Sequence, residues 1–253
     1  MRDPLEKQRR RMAREEEKHL KRAPVGGRMA AAVKVPDGVR GTLAAAFAKS
    51  FGLVFNQGAG LIEKTYDRAL LEAEFTVRDR QAGNAPDARM LRALDSRAKK
   101  VRRAGGGAAL AEGLGLGVLG IGLPDLPLFL AALLRGVYQI ALSYGFVYDT
   151  PAERAYILRL LACAAAPSSA KQEAVDSLAR ALDAGDAPLP DLEAETRTAA
   201  DCLADAMLTA KFIQGLPLVG AAGGVFNLPV YHRVTAYAAL QYRKRYLARK
   251  QNQ

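Results

Sequence analysis

The sequence predicts an all-α fold: a single multi-helix domain built around two apolar helical hairpins interrupted by glycine and proline. Three observations carry that prediction. Apolar residues recur at helical spacing, as in Leu43, Phe47, Phe51 and Val54, and again in Tyr156, Ile157, Leu160 and Leu161. Helix-start signatures punctuate the chain, the clearest being Thr150-Pro151-Ala152-Glu153, a capping box with proline at the first helical position. Two long apolar stretches, Ala104 to Tyr148 and Phe212 to His232, share a Gly-Leu-Pro step, closely spaced glycines and a following helix that bears tyrosines.

Composition sets the chemistry of the surface. Half of the 253 residues are hydrophobic, enough for a substantial core. Lys and Arg number 37 against 26 Asp and Glu, a net charge of +11 that favours anionic lipid, nucleic acid or acidic protein as a partner. Tryptophan is absent and aromatics make up 7%, which disfavours nucleic acid, because base-stacking platforms need exposed rings among the cations. Cys163 and Cys202 fall within helical patterns with no CxxC spacing, so they read as packed thiols in a reducing compartment. No metal site and no cofactor are expected.

Residues 1–35 form the first segment, a charged arm and linker. It alternates basic and acidic clusters, Arg9-Arg10-Arg11 and Glu15-Glu16-Glu17, and reads as a solvated helix, a disordered arm or an electrostatic tether to lipid. Its lack of an apolar core segment argues against a secretory signal and for a cytoplasmic start. The helical domain then spans 36–250. Its first helical pattern runs from Val39 to about Arg80 with a break at Gly58 and Gly60. Small residues at Ala44, Ala48, Gly52, Asn56 and Gly60 offer a packing stripe. Asp87 starts a basic helix that ends in Lys99, Lys100, Arg102 and Arg103, directly before the first apolar stretch. That cation cluster suits a membrane or partner surface, and equally the C-terminal end of a helix dipole.

The first apolar stretch repeats small residues at Ala109, Gly113 and Gly117 and turns at Gly122-Leu123-Pro124-Asp125-Leu126-Pro127. About 21 residues separate Arg103 from Asp125, the length that spans hydrocarbon, but Glu112 and the glycines argue against a stable span. Asp125 is expected to cap the second helix, with pairing to Arg135 as the alternative; Tyr138 and Tyr144 add polar tips to that helix. Further helices follow from Glu153 to Ala166, from Ser169 to about Asp183, and from Asp191 to Phe212. The second apolar stretch carries Pro217, Asn227 and the small pair Gly220 and Gly224, and leads into a helix ending in Arg243, Lys244 and Arg245, a second basic flank.

The motif GLPDLPLFLAALLRGVYQIALSYGFVYDTPAERAYIL, joined to the downstream GLPLVGAAGGVFN, resembles the EcsC family of bacterial proteins over about Gly41 to Arg245. Gly122, Pro124, Asp125, Pro127, Tyr144, Gly145 and the Glu153-Arg154 pair match the family pattern. The same motifs resemble, more weakly, a helical domain appended to some bacterial membrane-associated GTPases. The resemblance implies an all-helical fold in a membrane-proximal setting and no defined activity. GTP binding is not implied, because the chain has no GxxxxGK[ST] sequence.

No catalytic residue is assigned. His19 and His232 are the only histidines, no Ser or Cys sits in a nucleophile elbow, and no carboxylate pair stands out. The expected role is a noncatalytic helical protein peripheral to the cytoplasmic face of the inner membrane, with anionic lipid or a membrane protein as partner. The alternatives are a soluble protein-interaction module and an enzyme of unrecognised class.

Overall fold

A computed structural model describes residues 4–21, 37–55, 59–83, 88–103, 125–213 and 228–251. The regular elements among them are all helical: α1 (Pro4–Leu20), α2 (Asp37–Leu53), α3 (Ala59–Glu63), α4 (Arg68–Ala82), α5 (Ala88–Arg103), α6 (Asp125–Ser143), α7 (Pro151–Ala165), α8 (Ser169–Ala184), α9 (Leu192–Ile213) and α10 (Leu228–Arg249). The all-α class expected from the sequence is thus the observed one. The Gly-rich segments 104–124 and 214–227 lie outside the described residues, and with them Gly122, Pro124, Pro217, Gly220, Gly224, Asn227 and the hairpin geometry expected for both stretches.

Five of the other helices are arranged about α6. It lies against α10, α2, α4, α5 and α3, and Leu130, Leu133, Leu134, Val137, Ile140 and Ala141 on it have no exposed surface. Full burial of each such aliphatic side chain stabilises the fold by about 1.5–3 kcal/mol, so this helix anchors the core. Among the described residues, Leu126–Ser143 is the one window long and apolar enough to cross a membrane, and 83% of it is buried inside the fold. Gly136 lets α10 come close. A Cβ there would stand 2.9 Å from the Tyr231 hydroxyl and 3.2 Å from Thr235 Cγ2.

The end of α6 explains one pair of motif residues. Gly145 has φ +76°, its N–H donates to Leu142 O, and the Phe146 N–H reaches back to Ala141 O, the paired bonds of a Schellman stop. The Phe75 ring covers this glycine so closely that a Cβ would fall 2.2 Å from Phe75 Cε1. Both the conformation and the space therefore demand glycine at 145.

The caps follow the sequence with two departures. Thr150 accepts from the Glu153 N–H at 3.1 Å, as expected, but the Glu153 carboxylate turns inward to other partners and does not complete the capping box. Ser168, and not the Ser169 at which the sequence pattern restarts, caps α8, and Asp191 Oδ1 accepts from the N–H groups of Glu193 and Ala194 at the head of α9. α7 is buried nearly all round, between α9, α8 and α10.

Two further expectations change. The small-residue stripe on α2 is only partly a packing face: Ala44 is buried where α2 lies on α9, Ala48 is half-buried, and Gly52 is exposed. The core side of α2 is instead made by Phe47, Ser50 and Phe51. The charged arm takes the helical form among those expected, but docked on the fold instead of solvated on all sides. α1 packs along α10 and buries Met12 and His19, the latter stacked on Tyr237 with ring centroids 4.2 Å apart.

Candidate functional site

The polar features of the fold converge on the C-terminal half of α10. Successive residues of a helix point about 100° apart, so the Arg243-Lys244-Arg245 run aims at three different neighbours. Arg243 Nη1 meets Asp95 of α5 at 2.9 Å, and its Nη2 donates to Gln8 of α1 at 2.8 Å. Lys244 Nζ lies 3.0 Å from Glu16 of α1 and 2.9 Å from Asp176 of α8. Arg245 Nη1 meets Glu153 of α7 at 2.7 Å and Nη2 meets Asp183 of α8 at 3.1 Å. One turn on, Arg249 shares Asp183 and Lys250 pairs with Asp79 of α4 at 2.9 Å. One short basic run therefore clamps α1, α4, α5, α7 and α8 to α10.

This geometry corrects the reading of Arg243 and Arg245 as membrane-facing charge. Both are buried, at 7% and 3% exposure, and Lys244 is half-buried between two carboxylates. Burial works against the charge of Arg245, but Glu153, the surrounding hydroxyls and Asp183 outweigh it and raise its pKa. Its guanidinium also lies 4.3 Å from the Phe146 ring centroid and 4.5 Å from that of Tyr156. Tyr242 completes the group by donating to Glu153 Oε1 at 2.9 Å. Glu153, singled out in the sequence motif, is thus the acid at the centre of the clamp.

The remaining motif residues divide by role. Tyr144 donates to Asp95 at 2.8 Å, joining the same network, and burial pushes its pKa well above the ordinary value. Tyr138 stacks flat on Tyr148, with centroids 4.0 Å apart, and burial raises its pKa too. Tyr148 gives its one proton to Glu63 at 2.7 Å, so the Tyr66 hydroxyl 2.6 Å away donates to it in turn. Arg68 closes this second cluster against Asp149 at 2.6 Å. Pro127 sits half-buried in the first turn of α6, and Asp125 is the first residue of that helix; its expected cap and charge roles fall outside the described side chains. Arg135 turns to Thr65, donating from Nε to Oγ1 at 2.8 Å and from Nη2 to the carbonyl at 3.0 Å.

Arg154, the neighbour of Glu153, points elsewhere. It is half-buried and lines a groove of about 530 Å³ between α2, α7 and the start of α9, together with Ala48, Gly52, Phe55, Leu192 and Thr196. Its Cζ stands 5.9 Å from the Phe55 ring centroid. On the opposite side of the molecule's charge balance, α5 buries Leu91, Leu94, Ala98 and Val101, while Arg89, Arg92, Lys99, Lys100 and Arg103 are exposed and Arg102 is half-buried. Among the described residues none of these cations has an acidic partner within an ion-pair distance.

Sequence reasoning missed the acids of the clamp, Glu16, Asp79, Asp95, Asp176 and Asp183. A signal for some of them exists: Asp95 shares an apolar face with Leu91, Leu94 and Ala98, and Asp176 and Asp183 share one with Val175 and Ala179. An acid at a core position asks for a buried cation.

Fold and site together define an all-helical protein whose charged residues lock helices together, and among the described residues no three His, Cys, Asp or Glu side chains gather as a metal site. The chain belongs to the EcsC protein family, whose model matches residues 2–247. That match takes in α1, which the motif resemblance had left outside. No curated protein and no solved structure matches the chain.

Proposed function

We propose that this protein is a noncatalytic helical protein that associates peripherally with the cytoplasmic face of the bacterial inner membrane through α5. The observation that carries the reading is the row of exposed cations on α5, Arg89, Arg92, Lys99, Lys100 and Arg103, directly before the apolar segment 104–124. Each basic side chain near an anionic leaflet contributes about 1 kcal/mol, so five give useful affinity at low ionic strength. Removing Arg243 and Arg245 from the exposed charge leaves α5, of the two basic flanks read from the sequence, as the one that offers a row of exposed cations to lipid.

Flotation with anionic and neutral liposomes tests this. The protein is expected to rise with anionic vesicles at low salt, to be released as salt is raised, and to lose binding when Lys99, Lys100 and Arg103 are all changed to Glu. Protein that stays at the bottom with both lipid types at low salt excludes the reading. A soluble module that binds a protein partner is then favoured, because among the described residues the one helix apolar enough to span a membrane is largely buried in the core.

A further inference from the structure

We propose that the groove between α2, α7 and α9 binds a long-chain fatty carboxylate, with its head group on Arg154 and its hydrocarbon on Ala48, Gly52, Phe55 and Leu192. The exposed lining of the groove is more apolar than polar, although Arg154, Glu193, Thr196 and Arg197 make up half of its lining residues, and its volume of about 530 Å³ falls within the span of small-molecule sites. Its charge is not balanced. Glu193 on the rim is matched by Arg197 at 3.2 Å, whereas Arg154 has no carboxylate partner among the described residues. A half-buried guanidinium at the edge of an apolar floor is a poor arrangement for an empty surface, since the Phe55 ring 5.9 Å away offsets its partial desolvation only weakly and no carboxylate does. It suits a ligand that brings one negative charge and one apolar tail. Arginine adds a planar fork that matches the two oxygens of a carboxylate.

Gly52 gives the groove its depth. A Cβ built at this position meets nothing within 4 Å, so the missing side chain serves no packing need. Gly52 stands one residue before the end of α2 and lacks the positive φ that would require glycine there. The bare backbone leaves room for a chain to lie against α2. This site is separate from the cationic face of α5 and stands or falls without it.

The test is a titration with carboxyl-labelled palmitate below its micelle concentration, followed by NMR, on the full chain and two variants. Wild-type protein is expected to bind saturably with one site, and methyl palmitate, which lacks the charge, about tenfold or more weaker. Arg154→Gln should weaken palmitate by a similar factor. Gly52→Leu should fill the groove and abolish binding while raising the melting temperature, which separates blocked binding from damaged folding. Changing Lys99, Lys100 and Arg103 to Glu should leave palmitate binding as it is. The proposal is overturned by the absence of saturable binding to wild type, by equal binding to wild type and both groove variants, or by binding of anionic vesicles through Arg154 without binding of the free acid.

Discussion

Glu153 and Arg245 form an ion pair at 2.7 Å with both side chains at most 5% exposed, and they tie α7 to α10 through the middle of the fold. Removing one member strands the other charge in the core. Arg245→Met should therefore cost about 3–5 kcal/mol in a urea unfolding experiment. The double change Glu153→Leu with Arg245→Met should recover part of that loss, since two apolar side chains leave no uncompensated charge. An unfolding midpoint unchanged in Arg245→Met would show that the pair does not hold the two helices.

The acidic triplet of α1 holds three neighbouring glutamates with different work. Glu16 Oε1 accepts from Gln172 and Gln241, each at 2.7 Å, and pairs with Lys244, whereas Glu17 bonds Lys21 on the exposed side. Glu16→Ala should remove about 1–3 kcal/mol of docking free energy and strip amide-exchange protection from α1 while α6 and α7 stay protected. Glu17→Ala should change protection little, because exposed pairs of this kind contribute about 0.2–1 kcal/mol. Equal effects of the two variants would mean that α1 is not held by the Glu16 contacts.

The difference between these two glutamates shows what was and was not legible in the sequence. Helices, their caps and the core side chains of α6 and α7 could be read because apolar spacing and capping are local, resolved within a few residues. Glu153 and Arg154 were singled out by motif, yet one is the acid of a buried clamp and the other lines a groove. Nothing in sequence tells the two apart, because the partners are distant: Glu153 and Arg245 lie 92 positions apart, Glu16 and Lys244 lie 228 apart. A basic run after an apolar helix has the same local pattern whether it meets lipid or a set of inward carboxylates. The outcome for Arg243 and Arg245 was set by the spatial neighbours of α10, which hydropathy does not encode.

Buried tyrosines give the protein a predictable alkaline limit. Burial, the largest cause for both, pushes Tyr66 and Tyr231 up to about 12, and raises Tyr144 and Tyr242 well above the ordinary value. In the unfolded chain these hydroxyls ionise near 10. Between the two values the native state holds more protons than the unfolded state, so stability falls as pH rises. The slope is about 1.4 kcal/mol per pH unit for each tyrosine that remains protonated. Below the unfolded value these groups make stability independent of pH. Unfolding followed from pH 8 to 12, with the tyrosinate absorbance band read in parallel, should show most of the tyrosines ionising together with loss of structure. Smooth ionisation while the fold persists would contradict it.

Two glycines make opposite predictions from the same substitution. At Gly145 the φ of +76° and the Phe75 ring both oppose a side chain, so Gly145→Ala strains the backbone and displaces the ring that seals the end of α6. A left-handed alanine costs about 1–2 kcal/mol and the clash adds to it, for an expected loss of about 2–4 kcal/mol. At Gly52 the added Cβ meets open space within a helical stretch, and Gly52→Ala should gain about 0.5–1 kcal/mol from the smaller entropy loss on folding. Thermal or urea unfolding of the two variants side by side checks both signs. If Gly145→Ala is neutral, the Schellman stop is not what fixes the turn between α6 and α7; if Gly52→Ala destabilises, residue 52 is packed against something that its open surroundings do not show.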